Sequence, residues 1–255
     1  MMKSIDINVD CGESFGNWRM GIDDRIIPLI TTANVACGFH AGDPITMQRT
    51  VDYAKAAKIA VGSHPGLPDL AGFGRRVMAL SPDETYAYVL YQSGALRAIA
   101  EAKGMALHHV KPHGALYSML NKDTVLAAAA VRAIVDVCPK PLLYWAGPIK
   151  GRALPEAALA AGVRVVAEVY FDLGYDDDGF LILQRGVGAV DLAAVRKRIR
   201  DYFETGEVTS ASGKRIPIAA ESICVHGDGP SAIQIVESIR QIAGELGITV
   251  APVAA

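Results

Sequence analysis

The run Ala33–Pro44, ANVACGFHAGDP, contains a strand, a loop and the start of a helix. Its first half is an apolar segment of strand length that ends at Gly38. Its last two residues are Asp43 and Pro44, which are typical of a helix N-cap and the first helical position, where the N–H that proline lacks is not needed. The run therefore predicts one strand–loop–helix unit.

The same unit recurs along the chain. Segments of strand length alternate with longer amphipathic segments, which predicts parallel strands joined by right-handed helical crossovers. The predicted strands are 5–10, 33–38, 59–63, 108–110, 142–145, 163–167 and 222–225, with 248–250 as a possible addition. The predicted helices are 45–58, 81–103, 123–137, 152–161, 191–204 and 230–246. Seven or eight units in 255 residues favour a TIM-like (β/α) barrel over an open sheet, with 1–255 as a single domain and 170–188 as a hairpin over one end.

Composition excludes several classes of protein. The formal net charge of −2 argues against a nucleic-acid binder, which needs a basic face. There is no run of eighteen apolar residues, so no membrane span is expected, and Asp6 lies too early for a secretory signal. Four cysteines without a Cys-x-x-Cys pair predict a reducing, cytoplasmic location.

Titratable residues follow most of the predicted strands at the point where each strand ends. Because the carboxyl ends of parallel strands meet on one face of a barrel, we expect these side chains to share an active site. Eleven residues are the catalytic candidates: Asp10, Glu13, His40, Asp43, His64, Lys111, His113, Glu168, Asp172, His226 and Asp228. Asp43 and Asp228 have an alternative role as helix caps, since a proline follows each within two residues.

Other polar residues are candidates for substrate binding. Lys111 is expected to point inward and to hold a substrate carboxylate or stabilise an oxyanion. Arg75 and Arg76 follow a glycine-rich segment and predict an anion-binding loop, while Asn34 and Tyr117 complete the substrate-binding set, Tyr117 as part of the wall. A metal ion held by His40, His64 and a carboxylate such as Asp10 is chemically reasonable, but no local spacing requires it.

Common catalytic motifs are missing from the sequence. It has no P-loop, no Gly-x-Gly-x-x-Gly after a strand, no Gly-x-Ser-x-Gly and no His-Glu-x-x-His. The absence of these motifs argues against a Rossmann-type cofactor site and against the commonest esterases and the zincins.

Several strings resemble the LamB/YcsF family over essentially the whole chain. They are NVDCGE at 8–13, ANVACGFHAGD at 33–43, HP at 64–65, FGR at 73–75, HVKPHGALY at 109–117 and CVHGD at 224–228. The resemblance implies a seven-stranded barrel akin to the glycoside hydrolase/deacetylase barrels. It also implies ATP-driven opening of the lactam ring of 5-oxo-L-proline to L-glutamate, together with two partner subunits of B and C type.

The chain departs from the family pattern after the sixth strand. The family pattern reads Glu-x-Phe-Ala-Asp-Arg-x-Tyr, and here Glu168, Asp172 and Tyr175 match while Leu173 replaces the arginine. Leu173 cannot make the anion contact that an arginine at this position could make.

Three functional hypotheses remain open at the level of sequence. In the first, the chain opens the lactam, and ATP is bound mainly by a partner subunit because no phosphate loop is present. In the second, it is a metal-dependent hydrolase of an acetylated or cyclic amide that needs no ATP. In the third, it is a non-catalytic carbohydrate-binding or regulatory subunit, which the clustered acids and histidines disfavour. The sequence does not assign the general acid and the general base.

Overall fold

The structure is a computed structural model that describes residues 2–182, 188, 190–227 and 229–255. Its strands are, in chain order, β1 Ser4–Cys11, β2 Thr32–Ala36, β3 Ala60–His64, β4 Leu107–Val110, β5 Leu142–Ala146, β6 Arg164–Tyr170, β7 Gly174–Tyr175, β8 Leu181–Ile182, β9 Glu207–Thr209, β10 Arg215–Pro217, β11 Ser222–His226 and β12 Thr249–Val250. Its α-helices are α1 Asp23–Ile26, α2 Pro44–Ala57, α3 Pro82–Ala102, α4 Gly114–Leu120, α5 Thr124–Val137, α6 Ala153–Ala160, α7 Leu192–Thr205 and α8 Ala232–Glu245.

Seven parallel strands form a closed ring. Strands β1 to β6 pair in chain order, and β11 pairs with both β6 and β1, so that Asp6 lies opposite Ser222 and Asp10 opposite His226. The helices between the strands surround the ring, which confirms the predicted seven-stranded (β/α) barrel. The possible eighth strand, β12, pairs with Ser4 and Ile5 at the start of β1 instead of entering the ring.

The helix starts follow the predicted capping chemistry. Asp43 accepts a hydrogen bond from the backbone N–H of Thr46 at 2.7 Å at the start of α2. Ser81 and Glu84 form a capping box at the start of α3. Such caps satisfy N–H groups that have no partner inside the helix, and they fix where each helix leaves its loop.

Two short hairpins extend from the ring. The antiparallel pair β7–β8 lies in the segment predicted as an excursion, of which 183–187 fall outside the described residues. The second pair, β9–β10, lies between α7 and β11. None of the described helices is long and apolar enough to cross a membrane.

The two faces of β1 show how the core is divided. Ile7 and Val9 are buried in the apolar layer between the ring and the helices. Asp6, Asn8 and Asp10 are buried on the other face, where their partners include Tyr144 of β5, Glu168 of β6 and Lys111 after β4, from strands that do not adjoin β1. The alternation of side chains along a strand therefore gives this barrel an apolar outer layer and a polar interior.

Candidate active site

The lowest level of the barrel interior is a closed hydrogen-bond network around Asp6. Thr31 and Thr32 donate to Asp6 Oδ1 at 2.5 and 2.6 Å. Tyr144 donates to Asp6 Oδ2 at 3.0 Å, and Ser222 donates to the same oxygen at short range. These donors supply hydrogen bonds to both oxygens of the buried Asp6 side chain and hold it in position. This level therefore forms the base of the site.

The next level depends on a glycine. A Cβ at Gly62 of β3 would lie 2.0 Å from Cε1 of His109, so the imidazole occupies the space that a side chain would need. A bulge in β4 accompanies this arrangement, because Val61 pairs with Leu107 whereas Ser63 pairs with Val110. His109 then reaches Asn34 Oδ1 at 2.7 Å and holds that amide under the site.

Lys111 lies at the centre of the upper level and is 4% exposed. Its Nζ is 3.3 Å from Asp10 Oδ1 and 3.2 Å from Glu168 Oε2, and it also contacts Asn8 Oδ1 at 3.1 Å and Cys224 Sγ at 2.9 Å. Burial by itself lowers the pKa of Lys111, but the facing Asp10, Cys224 and Glu168 outweigh it and raise the pKa well above its ordinary value. Lys111 is therefore a permanently charged ammonium between two carboxylates.

Asp10 connects the lysine to the histidines. Burial raises its pKa, but His64, Lys111 and His226 outweigh burial and hold the pKa well below the usual range. Asn34 donates to Asp10 Oδ1 at 2.8 Å, and Asp10 Oδ2 lies 3.5 Å from His64 Nε2. Asp10 therefore remains an acceptor at any pH near neutrality.

Three imidazoles from the ends of β2, β3 and β4 form a histidine cluster, defined here as His40, His64 and His113. His64 Nε2 lies 3.0 Å from His113 Nδ1, and the ring of His40 stacks on that of His113 with 3.8 Å between centroids. Burial is the main reason that the pKa is about 4 for His64, about 3 for His113 and well below the ordinary value for His40. At neutral pH all three rings are uncharged.

A separate histidine–carboxylate pair lies on the other side of Asp10. His226 Nδ1 is 2.8 Å from Asp172 Oδ2, which also accepts the backbone N–H of His226 at 3.0 Å. Burial lowers the pKa of His226, but the Asp172 carboxylate outweighs burial and the net shift is upward. A carboxylate can only accept, so Nδ1 carries a proton, and in the neutral ring Nε2 has the lone pair of a general base.

These groups converge on one cavity of about 260 Å³. That volume is below the range of about 300–1,000 Å³ that is usual for drug-sized ligands, so the cavity suits a smaller molecule. The site residues predicted from the sequence that line it are Asp10, His64, Arg75, Lys111, His113, Tyr117, Glu168 and His226. A more open groove of about 920 Å³ lies at the opposite end of the barrel, and none of the predicted site residues lines it.

The other predicted residues that the structure describes lie outside the cavity wall. Asn34, His40 and Asp172 are buried behind it and contact residues that line it. Glu13 is buried in the loop after β1, and Asp228 lies outside the described residues.

Two of the predicted residues make contacts of a structural kind. Asp43 caps α2 and also accepts from the N–H of Gly16 at 2.7 Å. Arg76 is on the surface, where its Nε donates to Asp69 Oδ1 at 2.9 Å.

The position of the missing family arginine is apolar. Leu173 is buried and forms part of the cavity wall. Arg198 of α7 lies close by, but its guanidinium donates to the backbone oxygens of Phe171 and Leu173 at 2.7 and 3.3 Å. Arg198 thus fixes the loop that carries Asp172.

Tyr170 and Cys224 are two of the site residues that sequence reasoning missed. Tyr170 lines the cavity and donates to Glu168 Oε1 at 2.7 Å, and Cys224 contacts the Lys111 ammonium. Both are two residues from a predicted site residue on the same strand, Glu168 and His226 respectively. The period of two along a strand could therefore have identified them.

Comparison with known proteins places these features in a family. Residues 5–255 match the LamB/YcsF family. Proteins named as the A subunit of 5-oxoprolinase are similar: that of Symbiobacterium thermophilum is 48% identical, with 98% of this chain and 95% of the relative covered, and that of Thermococcus onnurineus is 45% identical, with 97% of each covered. The crystal structure of the lactam utilization protein from Thermus thermophilus superposes with a TM-score of 0.88 at 40% identity, covering 97% of this chain and 99% of that one. The chain belongs to the LamB/YcsF family.

Proposed function

We propose that this chain is the A subunit of an ATP-dependent 5-oxoprolinase, which hydrolyses the lactam of 5-oxo-L-proline to L-glutamate. The names of its relatives and of the Thermus protein support a hydrolase of cyclic amides. The observation that carries the proposal is the cavity itself, which joins the His226–Asp172 pair, the Lys111 ammonium and the two buried carboxylates in a space suited to a small molecule.

Amide resonance explains why ATP would be needed. An unstrained lactam is a poor electrophile, and transfer of a phosphoryl group to the ring oxygen would convert it into an imidate-like species that water attacks at the ring carbon. The sequence lacks a phosphate loop, so we assign nucleotide binding mainly to a partner subunit of B or C type. This chain would then receive the activated lactam.

The His226–Asp172 pair is suited to activate the attacking water. Asp172 holds the Nδ1–H of His226 and stabilises the imidazolium that forms when Nε2 accepts the proton. The same imidazolium can then deliver the proton to the ring nitrogen as the C–N bond breaks, which leaves a glutamyl phosphate that a second water hydrolyses to L-glutamate and inorganic phosphate.

The cations at the cavity have separate tasks in this proposal. Lys111 lies against Asp10 and Glu168 and would stabilise the negative charge of the phosphoryl group carried by the ring oxygen. Arg75 lines the cavity and is half-buried, which suits contact with the α-carboxylate of the substrate.

The cysteines support a reducing location. All four are free and buried. Proteins of oxidising compartments tend to pair their cysteines, so we place the reaction in the cytoplasm.

The test is release of glutamate from 5-oxoproline by the chain with its partner subunits and ATP. The complete mixture should be active, and His226→Gln should reduce turnover by about 10²–10⁴-fold, the usual contribution of a general acid–base group. His108→Gln is the matched control, because that ring bonds the backbone oxygen of Val253 away from the cavity. Failure of the complete mixture contradicts the function, whereas full activity of His226→Gln contradicts only the role of that residue.

The histidine cluster favours a second candidate, a metal-dependent hydrolase of a cyclic or acetylated amide. Two of the cluster's neutral imidazoles line the cavity and the third lies directly behind them, and imidazole is a ligand that zinc and manganese enzymes use. Glutamate release by the isolated chain with added metal, but without ATP or partners, would select this candidate over the first.

A further inference from the structure

The tautomers of two rings in the histidine cluster are fixed by their partners. His64 Nδ1 lies 2.7 Å from the backbone oxygen of Lys111, and His113 Nε2 lies 2.8 Å from the backbone oxygen of Phe73. A carbonyl oxygen only accepts, so both of these nitrogens carry a hydrogen. In the neutral rings, His64 Nε2 and His113 Nδ1 are then both unprotonated.

Two lone pairs therefore face each other across 3.0 Å. Neither nitrogen can donate to the other, and Asp10 Oδ2, a third acceptor, lies 3.5 Å from His64 Nε2. Such an arrangement of acceptors is repulsive unless a cation lies between them.

His40 adds an independent observation at the same place. It is fully buried, and neither of its ring nitrogens has a hydrogen-bond partner among the described residues. Its ring is confined by glycine backbone, since a Cβ at Gly66 would lie 2.3 Å from His40 Nδ1. A buried polar side chain without a partner is rare and calls for a ligand to satisfy it.

A shared proton between His64 and His113 is the alternative cation. Both rings are buried, and burial disfavours a charged imidazolium. A shared proton would also leave both nitrogens of His40 unsatisfied.

We propose that His40, His64 and His113 bind one divalent transition-metal ion of the zinc class. Their ligand nitrogens all lie within 4.8 Å of one another. Tetrahedral coordination with bonds of about 2.0–2.1 Å places ligand nitrogens about 3.3 Å apart, so the His64–His113 pair at 3.0 Å is already near the required spacing. The ring of His40, which stacks on that of His113, must rotate so that one of its nitrogens points at the ion.

The environment of the ligands matches that of known metal sites. Imidazole ligands of metals usually donate their other N–H to a backbone oxygen or a carboxylate, as His64 and His113 do here. Since His64 and His113 also line the cavity, the ion would lie at its wall. This proposal does not depend on the proposed function, because metal binding is measured without substrate.

The test is a zinc titration of the full chain after treatment with a chelator, with a chromophoric chelator as competitor. We expect one equivalent of Zn²⁺ to bind. His113→Ala and His40→Ala should each weaken binding by more than the 10–100-fold that is typical when a residue that only hydrogen-bonds a metal ligand is lost. His108→Ala is the matched control, since His108 lies outside the cluster, and it should bind as the parent does. Equal binding by the parent and both cluster variants would overturn the proposal.

A second measurement needs no variant. Zn²⁺ should shift the imidazole ¹⁵N signals of three histidines, and Co²⁺ should give the visible absorption of a four-coordinate ion. Absence of metal uptake, together with a strongly downfield proton resonance in the metal-free chain, would establish the shared proton and overturn the metal site.

Discussion

Replacing Lys111 by methionine removes an ammonium that faces two buried carboxylates. At an effective dielectric constant of about 20, each contact at 3.2–3.3 Å has a Coulomb energy of about 5 kcal/mol. Much of this attraction offsets the cost of removing the charges from water. Loss of one partner of a buried ion pair typically costs about 3–5 kcal/mol, because the remaining charges stay buried, so we expect Lys111→Met to lower the free energy of unfolding by that amount at pH 7.

The same variant should show a characteristic dependence on pH. Without Lys111, burial of Asp10 is opposed near neutral pH mainly by His226 and Asn34, because His64 is uncharged there. We therefore expect the folded-state pKa of Asp10 to rise above its value of about 3.9 in the unfolded chain. A group whose pKa is raised on folding contributes stability at low pH that is lost as the pH rises through the folded value. The deficit relative to the parent should therefore grow from pH 5 to pH 8, by up to about 1.4 kcal/mol per pH unit for each proton.

Urea denaturation at several pH values measures both effects. Trp145 is buried, so its fluorescence follows unfolding of the barrel. Lys122→Met is the matched control on an exposed lysine and should change stability by less than about 0.5 kcal/mol. A loss under about 1 kcal/mol for Lys111→Met, or a loss that is the same at pH 5 and pH 8, would refute the electrostatic account of this level of the barrel.

Gly62→Ala should destabilise the barrel by about 1–3 kcal/mol, because the added methyl overlaps the ring of His109; Gly94→Ala in α3, where the methyl meets open space among the described residues, should stabilise it by about 0.5–1 kcal/mol. Thermal melts that rank the two variants in the opposite order contradict this reading of the interior. Protonation of His64 and His113 should also cost the metal-free chain about 3 kcal/mol of stability between pH 6.5 and pH 5, since both rings gain a proton near pH 6.5 in the unfolded chain but only near pH 4 and pH 3 in the folded chain. A flat stability profile over that interval, measured by urea denaturation with a chelator present, would be inconsistent with uncharged buried rings.

The barrel itself was predictable from local signals. Caps such as Asp43 and Ser81 mark helix starts through short-range hydrogen bonds, and the rhythm of strands and helices sets the parallel ring. These local signals did not determine the number of strands in the ring, because Thr249 and Val250 have a strand pattern but pair with the first two residues of β1. A pattern of side chains predicts a strand and does not specify its partner.

The site was predictable in outline because a parallel barrel brings its strand ends to one face. The contacts that decide the chemistry were not predictable, since they join residues far apart in sequence. Lys111 meets Asp10 and Glu168 across the barrel, and His226 meets Asp172 from a neighbouring loop. Asp43 shows the converse, because a cap and a catalytic carboxylate have the same sequence signature.

The distribution of unsatisfied polar atoms gives an independent indication of where this protein binds its ligands. Burying the polar groups of the barrel interior costs free energy, but the residues around Asp6 and Lys111 have hydrogen-bond partners that offset this cost. Four buried side-chain atoms lack a partner among the described residues, and three of them belong to His40 and Asp172. Both residues contact side chains that line the cavity, so the exceptions to hydrogen-bond satisfaction cluster at the carboxyl end of the barrel. Buried polar atoms without a partner lower stability, so stability alone would not select them. Their position beside one cavity is expected if a bound ligand or ion supplies the missing partners.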